Sequence, residues 1–319
     1  MREVFQRYLD YLKAEQNASR YTLRNYAGDL WGTYKRGPGT GFFQFLVSSN
    51  ISDFGAVDKQ TVRDYLAWLM ERRTQKSSIS RKLSAIRSFY RFLLKEGIIR
   101  SSPIPINASG RKGERSSISP KLDKKLPVFL TLEETRRLLD VPDALKPEGK
   151  RDRALLELLY ASGLRISEIW QLDLQDINLV SREIRVLGKG SKERLVLMGL
   201  PAAAALGDYL KSGRPALTDN KGEKAVFLNS QGGRLSIRGM QKMVQHCAFA
   251  IGLEKRVHPH TLRHTFATHM LDGGADLRVV QELLGHADLS STQMYTHVTK
   301  QQARKVYLNS HPLAQEKQN

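Results

Sequence analysis

The sequence has one cysteine, Cys247, among its 319 residues. A single thiol excludes an intrachain disulfide framework and a metal site built on several cysteines. No run of apolar residues reaches the roughly 18 that a membrane span needs. Residues 1–5 contain no apolar signal core. These absences predict a cytoplasmic protein that does not bind a membrane.

Acidic residues are also scarce, since 32 Asp and Glu stand against 51 Lys and Arg, for a formal net charge of +19. The excess of positive charge is spread over both halves of the chain. A basic surface of this size is typical of a protein that binds a polyanion, and nucleic acid is the first candidate. Apolar residues make up 40% of the chain, which is enough for packed cores.

The pattern of residues predicts two domains joined by a basic linker. Residues 1–105 repeat apolar side chains at helical spacing and form the first, helical domain. Residues 106–127 are rich in Ser, Pro, Gly and basic residues, which indicates a flexible linker able to follow a phosphate backbone. Residues 128–319 form the second and larger domain.

Local signals mark the ends of several helices in the first domain. Ser19 or Thr22 is suited to cap a second helix, Asp58 starts a third, and Ser77 or Ser78 starts a fourth. The glycine and proline cluster at residues 37–41 predicts a turn or loop.

The second domain is predicted to be mostly helical with a small antiparallel β-hairpin. Thr131 and Glu134 have capping-box spacing, and a helix over residues 150–160 is broken at Ser162-Gly163. Residues 183–187 alternate as a strand does, and residues 194–197 return after a glycine-rich turn that carries Lys189. Residues 226–228 are predicted as a further short strand, and the chain from residue 236 onward as helical.

One helix of the first domain carries a basic face. Together with the bases just before it, this face predicts contact with DNA, although an ordinary solvated surface is the alternative. The predicted DNA-binding residues are Arg72, Arg73, Lys76, Arg81, Lys82, Arg87 and Arg91.

The C-terminal third concentrates side chains suited to phosphoryl transfer. His260 precedes Arg263 by three residues, His286 follows, and Tyr295 comes nine residues after that histidine. An earlier Gly-Leu-Arg segment supplies Arg165. Spacing of three residues on a helix places His260 and Arg263 on one face. The combination suits a phosphate that is held between two arginines while a tyrosine attacks it.

The chemistry assigns a role to each group. Arg165 and Arg263 hold the phosphate, because a guanidinium stays charged and its planar fork binds two oxygens. Tyr295 is the nucleophile, and since a tyrosine has a reference pKa of about 10 it needs a base, for which His260 is preferred. Attack by the phenol keeps the bond energy in a covalent link to the 3′ phosphate.

The remaining groups complete the site. His286 donates to a phosphate oxygen, and Lys189 delivers a proton to the leaving 5′ oxygen. Glu168 is expected either to pair with Arg165 or to hold another active-site group in place without contacting the substrate. Such chemistry needs neither metal nor ATP, so no cofactor is predicted. Each residue taken alone also fits an ordinary structural role, and only their combination and order indicate this site.

These residues resemble the active site of the tyrosine recombinases, the phage-integrase superfamily, and most closely the Xer recombinases. Similarity to Xer sequences is strong over about residues 127–312, and it includes segments 151–155, 187–194, 264–271, 280–286 and 290–297. The region at residues 37–41 is longer than is typical of the family. The resemblance implies a SAM-like, core-DNA-binding domain followed by a catalytic domain, which together form a two-domain DNA clamp.

The resemblance also implies a function and partners. Such a protein is a site-specific recombinase that cuts and rejoins double-stranded DNA at a specific site, through a 3′-phosphotyrosine intermediate and a Holliday junction. Four protomers act on paired sites, as a homotetramer or a heterotetramer, with a C-terminal tail including Tyr307 and Leu308 docked on a neighbour. Resolution of chromosome or plasmid dimers is the expected role, in chromosome segregation and cell division, with a DNA translocase as a candidate partner.

Four alternatives stand beside this interpretation. A mobile-element integrase or transposase would use the same chemistry, a type IB topoisomerase would use a similar site as a monomer, and a DNA-binding protein could keep the residues without activity. A metalloenzyme built on His258, His260, His264 and His269 is disfavoured, because His-Glu-x-x-His is absent and Arg263 would crowd a cation.

Overall fold

The computed structural model of the chain describes residues 1–32, 39–106, 128–187, 193–220, 222–253, 257–285 and 300–314. It divides into two compact units, Met1–Lys125 and Leu126–Asn319. The described part is mostly helical with one small antiparallel sheet, which confirms the predicted fold class. The predicted linker lies outside the described residues except for Ile106.

Helices make up the first unit, and their caps follow local sequence signals. Ser19 Oγ accepts a hydrogen bond from the backbone N–H of Thr22, and Asp58 accepts one from Thr61, so both predicted caps are confirmed. The fourth predicted helix begins at Lys76, slightly earlier than expected. The helices are α1 Arg2–Ala14, α2 Arg20–Leu30, α3 Phe42–Ser48, α4 Lys59–Glu71 and α5 Lys76–Lys95, with a 3₁₀ helix at Phe54–Ala56.

Aromatic side chains fill the core of the first unit. The Phe89 ring centroid on α5 lies 4.9 Å from that of Phe54, 5.1 Å from Phe43 and 5.2 Å from Tyr8. These rings meet edge to face, a geometry that adds to the gain from burying apolar area. Four segments of the first unit are thereby joined through one side chain.

The second unit carries the remaining elements. The predicted capping box is present, with Thr131 and Glu134 each bonded to the other's backbone N–H. A continuous helical stretch over residues 200–217 contains a π-helical turn at Tyr209–Gly213, which the sequence did not predict. The helices are α6 Leu132–Leu139, α7 Pro147–Ser162, α8 Ile166–Gln171, α9 Leu200–Asp208, α10 Arg214–Leu217, α11 Ile237–Ala250, α12 Pro259–Asp272, α13 Leu277–Leu283 and α14 Lys300–Ser310.

The sheet has the strand order β1-β2-β3 and is antiparallel throughout. Its strands are β1 Ile177–Asn178, β2 Glu183–Leu187 and β3 Glu193–Leu197. Ile184 pairs with Val196 in the register, and both are buried, so the apolar face of the hairpin packs on the core as the alternation predicts. Residues 226–228 do not form the predicted strand: Leu228 makes one isolated bridge, with Arg234, and the preceding Ala225 makes another, with Asp173.

Helix α7 runs through the middle of the second core. Residues 154–162 of α7 are all buried, so its last turns are covered by neighbours on every side. The helix ends at Gly163, as predicted, and this glycine has φ 58°. A Cβ here would lie 2.5 Å from Phe266 on α12 and 2.8 Å from Leu284 at the end of α13. Only glycine therefore allows the end of α7 to pack this closely against both.

The C-terminal helix α14 packs on its own unit. Tyr307 is 2% exposed, and its hydroxyl donates a hydrogen bond of 2.9 Å to the carbonyl of Ala161. The ring of His311 stacks on Tyr307 with centroids 5.2 Å apart. Tyr307 is therefore not on the surface where the predicted docking on a neighbouring protomer needs it, while Leu308 is only partly buried.

Within the described ranges, no helix combines the length and apolar character that crossing a membrane requires.

Candidate phosphate-binding site

Arg165 lies where the loop after α7 turns into α8, and one carboxylate holds it there. Its backbone N–H donates to Glu168 Oε2 at 2.9 Å, and its Nη1 donates to Oε1 at 3.1 Å. The side chain of Glu168 is 7% exposed, whereas that of Arg165 is 36% exposed. The buried carboxylate thus anchors the arginine from inside while part of the guanidinium faces solvent.

A second arginine, absent from the predicted set, binds the same carboxylate. Arg194 donates from both Nη atoms to the two oxygens of Glu168, each at 3.0 Å. Burial alone would raise the pKa of Glu168, but hydrogen bonds from Arg194 and from the backbone of Arg165 outweigh it and lower that pKa. The available sequence signal was the position of Arg194 at the start of the returning strand of the hairpin.

Arg263 approaches the same region from α12. Its Nη1 donates to the carbonyl of Gly163 at 2.5 Å, and its Nη2 donates to the carbonyl of Leu284 at 2.6 Å. Burial, followed by the positive charge of Arg165, lowers the pKa of Arg263 to about 10. The group remains charged at neutral pH, and its bond to Gly163 anchors it two residues before Arg165 in the chain.

His260 occupies the first turn of α12 and is exposed. It lies on the same helix as Arg263, which is buried, so the helix carries an exposed imidazole at its start and an anchored guanidinium one turn later. His258 is the N-cap of this helix, and its Nδ1 lies 3.1 Å from Gln245 Nε2.

Three predicted catalytic residues, Lys189, His286 and Tyr295, lie outside the described residues. The structure does describe their chain neighbours. Leu187 pairs with Glu193, on either side of the segment that contains Lys189, and Gly285 ends the described segment before His286. The structure joins Arg165 to Glu168 and anchors Arg263 on the carbonyl of Gly163, two residues before Arg165. The catalytic roles of all these residues stay predictions.

The predicted DNA-binding residues of the first unit divide by exposure. Those on the surface are Arg72, Arg73, Lys76, Arg81 and Arg91, and Arg87 is partly exposed. Arg72 stacks on the ring of Trp68 at 3.9 Å, and Arg91 donates to the carbonyl of Ile106. Surface bases of this kind remain suited to phosphate contacts.

Lys82 departs from that prediction. It is 5% exposed, its Nζ donates to the carbonyl of Thr40 at 2.8 Å, and it lies 3.4 Å from Asp29 Oδ1. Burial lowers its pKa, and the charge of Asp29 opposes that effect. Because its amine points into the core, Lys82 does not belong to the DNA-facing set.

The alternative of a metal site finds no support in the described residues, where no group of three or more His, Cys, Asp or Glu side chains could hold a metal ion. His264 faces the ring of Phe129, with centroids 6.5 Å apart. His269 is buried and shares a 2.9 Å hydrogen bond with the hydroxyl of Tyr160.

Comparison with known proteins gives matches along both units. The phage integrase family matches residues 128–302, and the phage integrase N-terminal SAM-like domain matches residues 5–97. The tyrosine recombinase XerC of Pelotomaculum thermopropionicum is 45% identical over 315 residues, covering 96% of this chain and 97% of that protein. The tyrosine recombinase XerD of Staphylococcus epidermidis is 40% identical, covering 98% of this chain and 100% of that protein.

A solved structure with a similar fold is the XerH site-specific recombinase bound to difH substrate in a pre-cleavage complex. The TM-score is 0.60 at 25% sequence identity, and the match covers 92% of this chain and 80% of that one. Similarity therefore extends over nearly the whole length in both sequence and fold.

Proposed function

Since the chain belongs to the phage integrase family and is a tyrosine recombinase that cleaves and rejoins DNA, we propose that its site-specific recombination proceeds through a covalent link between Tyr295 and a 3′ phosphate. The Tyr295 oxygen forms a bond to phosphorus as the bond from phosphorus to the 5′ oxygen breaks. His260 accepts the phenolic proton, and Lys189 supplies a proton to the leaving 5′ oxygen. Religation reverses each transfer.

Arg165 and Arg263 stabilise the charge that builds on the non-bridging oxygens, and His286 donates a further hydrogen bond. The observation that supports this proposal is that Arg263 is anchored on the carbonyl of Gly163, two residues before Arg165, which Glu168 anchors in turn. The charge of Arg165 lowers the pKa of Arg263, so the charged form of Arg263 is less favourable when no phosphate is bound. A phosphate between them would offset that effect, and a phosphorane-like transition state with more negative charge would do so more strongly.

The substrate in this proposal is double-stranded DNA with a specific recombination site. Four protomers act on two sites through a Holliday junction, either as a homotetramer or as a heterotetramer with a related chain, held in part by the C-terminal tail. The full-length similarity to proteins named XerC and XerD favours resolution of chromosome or plasmid dimers in the cytoplasm, with a DNA translocase as a candidate partner. Tail docking would require α14 to present a surface other than the buried Tyr307.

The test is a covalent-adduct assay on nicked DNA carrying candidate sites, run without metal or ATP. Wild type should give a protein–DNA band that survives denaturation, and Tyr295→Phe should give none. Tyr21→Phe removes the hydroxyl of an exposed tyrosine of the first unit and serves as the matched control, which should behave as wild type. An adduct of equal yield from Tyr295→Phe would overturn the assignment of the nucleophile.

A further inference from the structure

We propose that Arg194 is a positioning residue for DNA cleavage, which orients Arg165 through Glu168 and supports the backbone at Gly285, next to His286. The inference rests on the proposed function, because it concerns the same phosphate-binding site. It assigns a role to a residue outside the predicted catalytic set. The contacts of the Arg194 side chain with Glu168 and with the backbone of Gly285 carry it.

The first contact is the two-bond fork onto Glu168. Both bonds measure 3.0 Å, and the side chains of Arg194 and Glu168 are 20% and 7% exposed. Parallel hydrogen bonds between a guanidinium and a carboxylate set the plane of the carboxylate as well as its position. A lysine at residue 194 would supply charge without that geometry.

The second step passes from Glu168 to Arg165. Each oxygen of Glu168 accepts one bond from Arg194 and one from Arg165, so four donors define the orientation of one carboxylate. Without Arg194, half of these bonds disappear and the carboxylate is free to turn toward the guanidinium of Arg165. We expect Arg165 then to pair more closely with Glu168 and to face a bound phosphate in the wrong orientation.

The third contact is with the loop after α13. A Cβ at Gly285 would lie 2.9 Å from both Cζ and Nε of Arg194, so the backbone of Gly285 lies directly against the guanidinium. Gly285 has φ 65°, which favours glycine. The preceding carbonyl, at Leu284, accepts a hydrogen bond from Arg263. Two arginines therefore hold the backbone that leads into His286.

Arg194 also belongs to the hairpin. It pairs with Val186 in the register of β2 and β3, and residues 188–192, which include Lys189, connect these strands. The Nε of Arg194 is buried and has no hydrogen-bond partner among the described residues. A side chain with this position joins strand β3 to Glu168 and to the backbone of Gly285, without being one of the groups expected to touch the phosphate.

The experiment measures single-turnover cleavage of nicked DNA as a function of protein concentration, for wild type, Arg194→Gln, Arg194→Lys, Glu168→Gln and the double variant Glu168→Gln with Arg194→Gln. We expect Arg194→Gln to lower the rate at saturation by about 10- to 100-fold, the size of effect that a small misplacement of reacting groups produces. The concentration for half-maximal rate should change less than about twofold, because DNA binding is spread over many contacts.

The double variant should be no slower than the slower single variant, since both substitutions break one network. Arg194→Lys keeps a positive charge beside Glu168 and is expected to fold, yet it should remain about tenfold slow because the fork is lost. Arg185→Gln is the matched control: this arginine on the adjacent strand is about half exposed and pairs with Asp176 at 3.3 Å, and its loss should leave cleavage unchanged.

Wild-type rates for either Arg194 variant would overturn the inference, and so would effects of Glu168→Gln and Arg194→Gln that multiply. A change confined to the half-maximal concentration would also overturn it, because that result indicates a DNA contact rather than positioning. Failure of wild type to form an adduct would instead count against the proposed function. The two failures are therefore distinguishable in one experiment.

Discussion

Each unit of the molecule buries one carboxylate between two cations, and the two clusters behave differently. In the first unit, Asp29 pairs with Arg81 and Lys82 and is 3% exposed. In the second unit, Glu168 pairs with Arg165 and Arg194 at almost the same depth. The residue types are nearly the same, yet the pKa of Asp29 is raised and the pKa of Glu168 is lowered.

Two cations lie beside each carboxylate, and the two carboxylates differ in how many hydrogen bonds they accept. Burial raises the pKa of Asp29, and the charges of Lys82 and Arg81 do not fully offset it. Glu168 is also desolvated, but the fork of Arg194 and the backbone N–H of Arg165 stabilise its ionised form more strongly. Asp29 also accepts hydrogen bonds from Arg81 and Lys82, so the contrast lies in the four donors around Glu168.

The cations of the two clusters can also be compared by what they contact and by how exposed they are. Lys82 and Asp29 tie α5 to α2 and to the backbone of Thr40, which is a purely internal task. Each carboxylate also anchors one partly exposed arginine, since the side chain of Arg81 is 44% exposed and that of Arg165 is 36% exposed. The clusters differ in what we expect of them: the buried Lys82 makes the first a contact between helices, and the second supports Arg165, which we propose to bind phosphate.

The largest expected effect lies in the second cluster. Arg165→Ala and Arg263→Ala should each lower the single-turnover cleavage rate by about 100- to 1000-fold, the usual cost of removing a group that stabilises transition-state charge. DNA affinity should fall much less, because many surface bases share the phosphate contacts.

Arg153→Ala, which removes an exposed arginine paired with Asp140, is the control for general loss of charge. Arg263→Ala should also lower the melting temperature, since the buried carbonyls of Gly163 and Leu284 lose their donor. Loss of DNA affinity as large as the loss of cleavage would contradict the assigned roles.

Substitutions in the first cluster should change the free energy of unfolding rather than the rate of cleavage. Lys82→Ala should lower the free energy of unfolding by about 3 kcal/mol, the lower end of the range for breaking a buried ion pair, because Arg81 still contacts Asp29. The double variant Asp29→Leu with Lys82→Met should be close to wild type in stability, since apolar groups replace both charges. Denaturant titration measures both. If Lys82→Ala lowered DNA affinity without lowering stability, Lys82 would belong to the DNA-binding surface after all.

Two glycines with the same backbone conformation sharpen the contrast between the units. Gly97 and Gly163 have φ of 66° and 58°, but a Cβ at Gly97 would meet nothing within 4 Å. Gly97→Ala should cost about 1 kcal/mol from backbone strain alone. Gly163→Ala should cost more, about 3 kcal/mol, and should slow cleavage, because Phe266 and Leu284 must move. Equal losses in thermal unfolding would contradict the close packing at Gly163.

The smallest effect is a difference in pH dependence. The pKa of Glu168 is lower in the folded protein than in the unfolded chain. Its carboxylate therefore stabilises the fold fully above the unfolded-state pKa, and this stabilisation is lost as pH falls through the folded-state pKa. The stability gap between wild type and Glu168→Gln should therefore narrow on acidification. Asp29 behaves in the opposite way, because its pKa is raised in the folded protein and its protonated form is the one that burial favours. As pH falls, the free energy of unfolding of wild type should therefore rise relative to that of Asp29→Asn. Unfolding curves at several pH values check whether the two slopes have opposite signs.

Much of the fold was predictable because its signals are local. The caps at Asp58 and Thr131 and the alternation that forms β2 and β3 each depend on a few consecutive residues. The two-residue strand β1 was not predictable, since its pairing depends on β2 rather than on its own pattern.

The residue types of the site were predictable from the sequence, but the long-range contacts that hold these residues in place were not. Arg81 and Lys82 are adjacent and basic, and the amine of Lys82 turns inward to contacts that are distant in sequence, the carbonyl of Thr40 and the carboxylate of Asp29. Arg194 reaches Glu168 across 26 residues, and Tyr307 reaches Ala161 across 146, so neither contact leaves a local pattern. Long-range polar contacts of this kind are set by tertiary packing.

The most direct test of the central claim is to identify the residue that carries the DNA. The protein–DNA adduct would be trapped on a nicked site, digested with protease and nuclease, and its modified peptide sequenced by mass spectrometry. The account predicts a nucleotide remnant attached through a 3′ phosphate to Tyr295 and to no other residue. A remnant on a different residue, or a link through the 5′ phosphate, would contradict it.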